Sequence, residues 1–318
     1  MKQYVVCALS FLLLEFFSFF AMATPQAPTV DTLLLKPVYE QSFYVPSDQS
    51  THLWQYLAQH YGNQGIKKYG DAFSTEGSEE TIVDVYFDDP SSTLLNNYSS
   101  IRYRNRFVNG NIRDKEVVLS LSPEGLDGVR YQKKFAYNAK PDAGKNFTAH
   151  PFLKLLQPAD RPVLDKLLQP FNLQPEALAN VLELTQHRNR LQLQHNGQTF
   201  LTIANDQVSS ELTPSRFFEL SLELQQPVLA NASPEERAAM EQAYNNLTAA
   251  LEKDFPELRP DQLPKYNKMY SLLMQKPETS FSSFFAWFGL TALFVIVISI
   301  IIRQHRKRRS YTPAESIF

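Results

Sequence analysis

The sequence predicts an α+β protein built on an antiparallel β-sheet, and three features lead to this prediction. Several segments alternate polar and apolar residues with a period of two, as strands with one covered face do. Turn residues separate these segments, and Asn196-Gly197 is the strongest hairpin signal among them. Helical patterns stand only between or after the strands, and two of them begin at Ser47 and Ser233.

The composition limits the classes of function that need to be considered. The chain has 318 residues, of which 43% are hydrophobic and 20% charged, and its formal net charge is −2. This balance argues against a general nucleic-acid binder, so any anion site must be local. The single cysteine, Cys7, lies in an N-terminal apolar run. The rest of the chain therefore has no disulfide, thiolate nucleophile or cysteine metal site.

The alternating segments define the order of the predicted elements. The predicted strands are 38–46, 82–88, 101–106, 115–122, 129–137, 186–195, 199–206 and 216–224. The predicted helices are 47–62 and 233–253, with short Pro-broken helices in 150–182 and a loop over 62–80. A short segment over 265–274 then leads to the membrane.

A stripe of arginines is the most informative pattern in these strands. In a strand, Arg102, Arg104 and Arg106 share one face, and Ile101 and Tyr103 take the other. Three guanidinium groups in a row repel one another, so they need bulk water, carboxylates or a bound polyanion.

Other predicted strands repeat the pattern. Strands 129–137 and 186–195 also carry cationic stripes, and strand 216–224 carries an acidic one. An open sheet would turn these polar faces to water. A closed sheet would turn them inward and form a channel for a charged ligand. Both alternatives remain open, and the recurrence of the stripes favours the channel.

Both ends of the chain indicate a membrane protein. Lys2, an apolar run and Ala21-Met22-Ala23 are typical of a secretory signal peptide. The apolar run 284–302 is long enough to span a bilayer, and the cations that follow it should stay cytoplasmic. The prediction is a single-pass inner-membrane protein with a periplasmic, extracytoplasmic body. Its parts are a signal peptide 1–23, a lead segment 24–36, a body 37–272, a linker 273–283, a transmembrane helix 284–302 and a basic cytoplasmic tail 303–318.

Five short motifs follow one another along the body. They are Val85-Tyr86-Phe87-Asp88, Leu95-Asn96-Asn97, Arg102-x-Arg104, Arg130-x-x-x-Lys134 and Pro264-Lys265-Tyr266-Asn267-Lys268. In this order they resemble the triphosphate-tunnel, or CYTH-like, superfamily, and most closely its VTC-type polyphosphate-polymerase branch. The resemblance covers residues 37–272. It implies a closed antiparallel β-tunnel with flanking helices, in which inward Arg and Lys side chains grip a phosphate chain and inward Glu binds a divalent metal.

The resemblance also implies a set of site residues. The implied phosphate ligands are Arg102, Arg104, Arg130, Lys134, Arg188, Arg190, Lys265 and Lys268. The implied metal carboxylates are Glu223, Glu219 and Glu40, which would hold Mg²⁺ or Mn²⁺. No catalytic residue is assigned.

The chain departs from the family pattern at several positions. Ser42 and Ser122 stand where lysines are expected, and Ser221 separates the two glutamates. Asp206 matches the family's aspartate in the hairpin, but a tight Asn196-Gly197 turn would pair residue 206 with residue 187 and place Asp206 on the face away from Arg188. A bulge would be needed to bring it inward, so both orientations remain open. The cations are kept better than the metal carboxylates, and this favours binding over turnover.

These observations predict a membrane-anchored domain that binds polyphosphate or triphosphate-type anions, with weakened or lost catalysis and no role in nucleic-acid binding. One alternative is a metal-dependent phosphohydrolase acting on tripolyphosphate or organic triphosphates. A VTC-type polymerase is disfavoured, because nucleoside triphosphates are scarce outside the membrane. A structural membrane scaffold that has kept the fold and lost the ligand is the remaining alternative.

Overall fold

A computed structural model of the chain describes residues 30–126, 129–138 and 152–275. The predicted signal peptide 1–23, transmembrane helix 284–302 and cytoplasmic tail 303–318 lie outside the described residues. Within the described ranges, no helix is both long and apolar enough to cross a membrane.

The described residues contain one antiparallel sheet of ten strands. The strands are β1 (Lys36–Val38), β2 (Glu40–Val45), β3 (Phe73–Asp88), β4 (Ser100–Val108), β5 (Asn111–Leu121), β6 (Arg130–Ala136), β7 (Ala179–His195), β8 (Gln198–Ser210), β9 (Thr213–Leu224) and β10 (Arg259–Pro260). Their order in the sheet is β1-β6-β5-β4-β3-β7-β8-β9-β2-β10.

The first two strands close this sheet into a tunnel. β1 pairs with β6 at one edge. β2 begins only two residues after β1 ends, and it pairs with β9 at the other edge. Because one short stretch of chain pairs with both edges, the sheet closes on itself. The predicted antiparallel closed tunnel is confirmed.

Six α-helices flank the tunnel in the described residues. They are α1 (Ser50–Tyr61), α2 (Thr93–Asn96), α3 (Arg161–Leu168), α4 (Gln226–Asn231), α5 (Pro234–Asp254) and α6 (Lys265–Met274). Short 3₁₀ helices occupy Thr32–Leu34, Gly65–Tyr69, Phe152–Leu155, Pro158–Asp160, Gln169–Phe171 and Pro175–Ala177.

The helix starts show where capping chemistry decides the boundary. Ser233 begins α5 with a capping box, because its side chain accepts from the Glu236 N–H while the Glu236 carboxylate accepts from the Ser233 N–H. The prediction of Ser47 as the cap of α1 is wrong. That helix begins at Ser50 with Gln49 as its N-cap, and no side chain caps it.

Apolar faces of the sheet point outward into two cores. Leu220 and Leu222 of β9 pack in one core with the helical residues Leu53 and Leu247. Val117, Leu119 and Leu121 of β5 pack in the other with Leu164 and Leu167 of α3. Fully burying one such side chain stabilises the fold by about 1.5–3 kcal/mol. The two outer cores therefore stabilise the sheet and leave its inner face free to be polar.

Strand β3 is longer than the sequence predicts. It begins at Phe73, so residues 73–80 of the predicted loop 62–80 belong to a strand. Its polar first half pairs continuously with β7, from Phe73 opposite His195 to Thr81 opposite His187. Ladder pairing of a polar segment outweighs its weak strand propensity here. The extension brings Glu80 into the tunnel wall.

Candidate functional site

The inner face of the tunnel surrounds a cavity of about 440 Å³, within the ~300–1,000 Å³ of small-molecule sites. Eight cationic residues line it: Arg102, Arg104, Arg106, Arg130, Lys134, Arg188, Arg190 and Lys265. Five carboxylate residues line it as well: Glu40, Asp114, Glu116, Glu219 and Glu223. Seven of the eight predicted phosphate ligands therefore face one cavity, and the eighth, Lys268, lies beside it and binds Glu219.

Arg104 is held by a buried carboxylate. Its Nε and Nη2 atoms each donate to one oxygen of Asp84 at 2.7 Å, and Asp84 is fully buried. Gln186 Nε2 donates to Asp84 Oδ2 at 2.6 Å. Burial alone would raise the pKa of Asp84, but Arg104 and Arg102 outweigh it and hold that pKa below its usual value. Asp84 is thus an ionised, fully occupied partner of Arg104.

Arg102 is much less well paired than its neighbour. Its Nε lies 3.4 Å from Asp84 Oδ2, too long for a hydrogen bond of good geometry. This Nε is buried and has no hydrogen-bond partner in the described structure. The Tyr86 ring centroid is 6.0 Å from the guanidinium carbon. Because Asp84 is already occupied by Arg104, the charge of Arg102 is incompletely compensated.

Asp206 faces inward, which is the alternative that requires a bulge. The turn at Asn196-Gly197 forms as predicted, with positive φ at both residues. However, the register shifts between Leu193 and Gln194, so Arg188 pairs with Asp206. The irregularity adds one residue to β8, so the side chains that follow it in β8, including that of Asp206, point to the other face of the sheet.

The inward Asp206 carboxylate holds two cations. Arg188 Nε and Nη2 each donate to one of its oxygens at 2.7 Å, and Lys265 Nζ also contacts Oδ2. Burial would raise the pKa of Asp206, but Arg188 and Lys265 outweigh it and hold the pKa far below its usual value.

The first turn of α6 enters the tunnel wall through two lysines. Lys265 Nζ lies 2.9 Å from Glu219 Oε1, and Lys268 Nζ contacts Glu219 Oε2. Lys268 also lies 2.9 Å from Asp261. Burial raises the pKa of Glu219, but the two lysines more than offset it and lower that pKa. Both oxygens of Glu219 are therefore occupied by ammonium groups.

This pairing does not fit the predicted metal site. Glu40 lies directly opposite Glu223 in the sheet, and its carboxylate is 3.5 Å from the Arg130 guanidinium. Both carboxylate oxygens of Glu219 are instead paired with Lys265 and Lys268. Among the described residues, no group of three or more His, Cys, Asp or Glu side chains is arranged to hold a metal ion. The structure therefore does not bring Glu40, Glu219 and Glu223 together as a ligand set.

The remaining cations are paired around Glu80 and on strand β5. Arg190 lies 2.7 Å from Glu80, and Arg106 lies 3.9 Å from the same carboxylate. Arg106 Nε also donates to Asp114 at 2.9 Å. Burial lowers the pKa of Arg190, and Glu80 offsets part of that shift. A further pair joins Lys134 to Glu116 at 3.3 Å.

The charges of the tunnel are arranged in layers. Glu80, Asp84 and Asp206 are buried beneath the arginines and do not line the cavity. The eight lining cations are thus matched by eight carboxylates in all, but only five of these reach the cavity surface. The surface that a ligand would meet is therefore cationic, although the wall as a whole is balanced.

Glu80 and Asp84 are not identified from the sequence as partners of the tunnel cations. Asp84 and Tyr86 alternate with valines, so they share the inner face of β3, and Asp84 lies directly opposite Arg104. The alternation is readable in the sequence, but the register that sets the pair is not.

Three solved structures illustrate the similarity of this fold to others. One is a Hippeastrum protein named as an adenylyl cyclase with a dominant triphosphatase activity, at 15% identity and a TM-score of 0.45, covering 74% of this chain and 96% of that one. Another is the S. pombe Pct1 RNA triphosphatase, at 10% identity and a TM-score of 0.35, covering 75% and 91%. A third is the Mimivirus capping enzyme triphosphatase, at 11% identity and a TM-score of 0.35, covering 68% and 89%. At these values the similarity assigns neither an activity nor a site residue to this chain.

No protein-family model matches the sequence, and no curated protein matches it significantly.

Proposed function

We propose that the tunnel binds a linear anion of the polyphosphate or triphosphate type. The observation that carries the proposal is the cavity surface, where eight cations face five carboxylates. Arginine forks match the spacing of phosphate oxygens, and lysines add mobile point charges. The cations come from three strands, β4, β6 and β7, and from the start of α6, so they surround a ligand rather than form a flat patch.

The ion pairs set a condition on this binding. To contact the arginines, a phosphate must displace their carboxylate partners or bind beside them. Because the cations of the wall are already matched by carboxylates, the negative charge of the phosphate would be only partly compensated. A divalent cation such as Mg²⁺ or Mn²⁺ accompanying the phosphate would supply that compensation. Glu223 has no ion pair or hydrogen bond in the described structure, and Glu40 adjoins it, so these two carboxylates are the available contacts. Glu219 is not available.

A structural scaffold is the second candidate, and the extensive pairing of the tunnel cations favours it. However, a buried ion pair stabilises a fold no better than apolar residues of similar volume. Stability alone does not require an open cavity lined by charges. The cavity and the incomplete pairing of Arg102 therefore support binding over the scaffold.

We propose binding rather than turnover, since Ser42 and Ser122 replace expected lysines and Glu219 is occupied. Phosphate release from tripolyphosphate by the purified full-length protein, measured with Mg²⁺ and with Mn²⁺, tests this choice. Metal-dependent release that Glu223→Ala abolishes would show a phosphohydrolase instead. The VTC-type polymerase predicts synthesis of polyphosphate from a nucleoside triphosphate, which the same preparation can be assayed for.

We also propose that the domain lies outside the cytoplasmic membrane and is anchored by residues 284–302. A reporter fused after Phe318 should be active only in the cytoplasm, and one inserted near residue 270 only outside. The reverse pattern would refute this topology and revive the polymerase alternative.

Thermal denaturation of the full-length protein tests the binding itself. Tripolyphosphate at 100 times its Kd should stabilise the fold by about 2.7 kcal/mol through linkage. Raising the ionic strength to ~1 M, where the Debye length is ~3 Å, should shrink this shift. Lys134→Ala should weaken binding, whereas Lys133→Ala should not, because Lys134 lines the cavity and Lys133 takes the opposite face of the same strand. An unchanged melting temperature at saturating tripolyphosphate, with and without the metals, would refute the proposal.

A further inference from the structure

An uncharged polar row crosses the tunnel wall beside Arg102. Ser100 of β4 pairs with Ser120 of β5, and Ser120 pairs with Gln132 of β6. All three residues line the same cavity as Arg102. Ser100 is two residues from Arg102 on one strand, so the row adjoins the arginine on the inner face.

Arg102 and the row Ser100, Ser120 and Gln132 together form one corner of the cavity. Two buried polar atoms in this corner have no hydrogen-bond partner in the described structure. They are Arg102 Nε and Ser120 Oγ, and Ser120 is only 6% exposed. A buried polar atom left unsatisfied is costly, and such atoms in folded proteins usually have a partner. Both atoms belong to residues that line the same cavity, so a group bound in this part of the cavity would supply the missing partners.

Two buried tyrosines line the cavity next to Arg102. Tyr86 is paired with Arg102, and its ring stacks on Tyr266 of α6 with centroids 4.9 Å apart. The Tyr266 hydroxyl donates to Asp88 at 3.2 Å, and both tyrosines are at most 2% exposed. A linear ligand therefore cannot continue past Arg102 in the direction of the tyrosines.

We propose that Arg102, Ser100, Ser120 and Gln132 hold the terminal phosphate of the tunnel ligand, an inference that rests on the proposed function. The guanidinium supplies the compensating charge, and the hydroxyl and amide groups donate to the phosphate oxygens. No fixed carboxylate has to be displaced by this phosphate, unlike one bound at Arg104 or Arg188. The ligand class is accordingly a polyphosphate with one free end, rather than one esterified at both ends.

Titration calorimetry with the full-length protein tests the subsite. The two probes are tripolyphosphate and a dinucleoside triphosphate, in which both ends are esterified. Wild type should bind tripolyphosphate at least tenfold more tightly. A hydrogen bond to a charged group corresponds to about a tenfold change in Kd or more, so Ser120→Ala should weaken tripolyphosphate binding by that factor. The diester should be bound equally by both proteins.

Matched variants separate the subsite from general effects. Thr248→Ala removes a hydroxyl on α5 that does not line the cavity, so it should leave both affinities unchanged. Ser120→Ala should melt no lower than wild type, because it removes an unsatisfied group. Arg102→Gln offers a second measurement and should weaken tripolyphosphate at least tenfold.

The outcomes distinguish the two proposals. If wild type binds neither probe, the proposed function fails, and the subsite with it. If wild type binds tripolyphosphate but Ser120→Ala and Arg102→Gln bind it equally well, the terminal-phosphate subsite is refuted and the tunnel function stands. Equal binding of both probes by wild type would refute the subsite in the same way.

Discussion

Arg102 and Arg104 look equivalent in the sequence, but the structure predicts opposite consequences for their removal. Arg104 makes two hydrogen bonds of 2.7 Å to the fully buried Asp84, whereas Arg102 makes one long contact of 3.4 Å. Arg104→Ala would therefore leave a buried carboxylate with only Gln186 and the distant Arg102 as partners. Arg102→Ala would remove a cation whose charge is poorly compensated.

The expected loss in the free energy of unfolding depends on how well each arginine is paired with Asp84. Breaking a buried ion pair costs about 3–5 kcal/mol, and the remaining partners of Asp84 place Arg104→Ala near 3 kcal/mol. For a domain of this size that is a loss of roughly 6–12 °C in Tm. Arg102→Ala should cost less than about 1 kcal/mol without ligand, because a weak contact and little packing are lost.

Urea unfolding followed by circular dichroism measures both effects. The control is Asp84→Asn combined with Arg104→Gln, which removes both charges and should recover most of the stability lost in Arg104→Ala. If Arg102→Ala proves as destabilising as Arg104→Ala, or if the double variant stays as unstable as the single one, the assignment of Arg104 as a structural partner and Arg102 as a ligand residue is wrong.

Three further predictions concern the carboxylates and the hairpin. Glu219→Gln should cost about 1–3 kcal/mol, because two buried lysines lose a partner, while Glu223→Gln should stay within about 0.5 kcal/mol; a comparison of their urea midpoints checks this, and equal losses would contradict it. Asp84, Asp206 and Glu219 have folded pKa values held below those of the unfolded chain, so their stabilisation is full above about pH 4.3 and is lost as the pH falls through the folded values. Urea midpoints should therefore stay level from neutral pH to about pH 5 and fall below about pH 4, and Asp206→Asn should make that fall shallower. Gly197→Ala should cost about 1 kcal/mol, because Gly197 has a φ of +76°; an unchanged melting temperature would refute the strain.

Much of the fold could be predicted because local patterns determine which face of a strand is buried. The alternation in 101–106, 115–122 and 216–224 predicts the inward and outward faces of β4, β5 and β9 correctly, since a period of two is a property of the strand itself. The hairpin at Asn196-Gly197 and the helix start at Ser233 follow in the same way from short-range backbone chemistry.

The pairing of charges could not be predicted, because it depends on which strands are neighbours and in which register. One irregularity between Leu193 and Gln194 turns Asp206 inward. The extension of β3 to Phe73 brings Glu80 beneath Arg190, and the placement of α6 gives both oxygens of Glu219 to lysines. The alternation along the chain is enough to predict that cations line one face of several strands. Which of these cations are neutralised by buried carboxylates depends on the folded arrangement, because Coulombic pairing depends on distances between residues far apart in the chain.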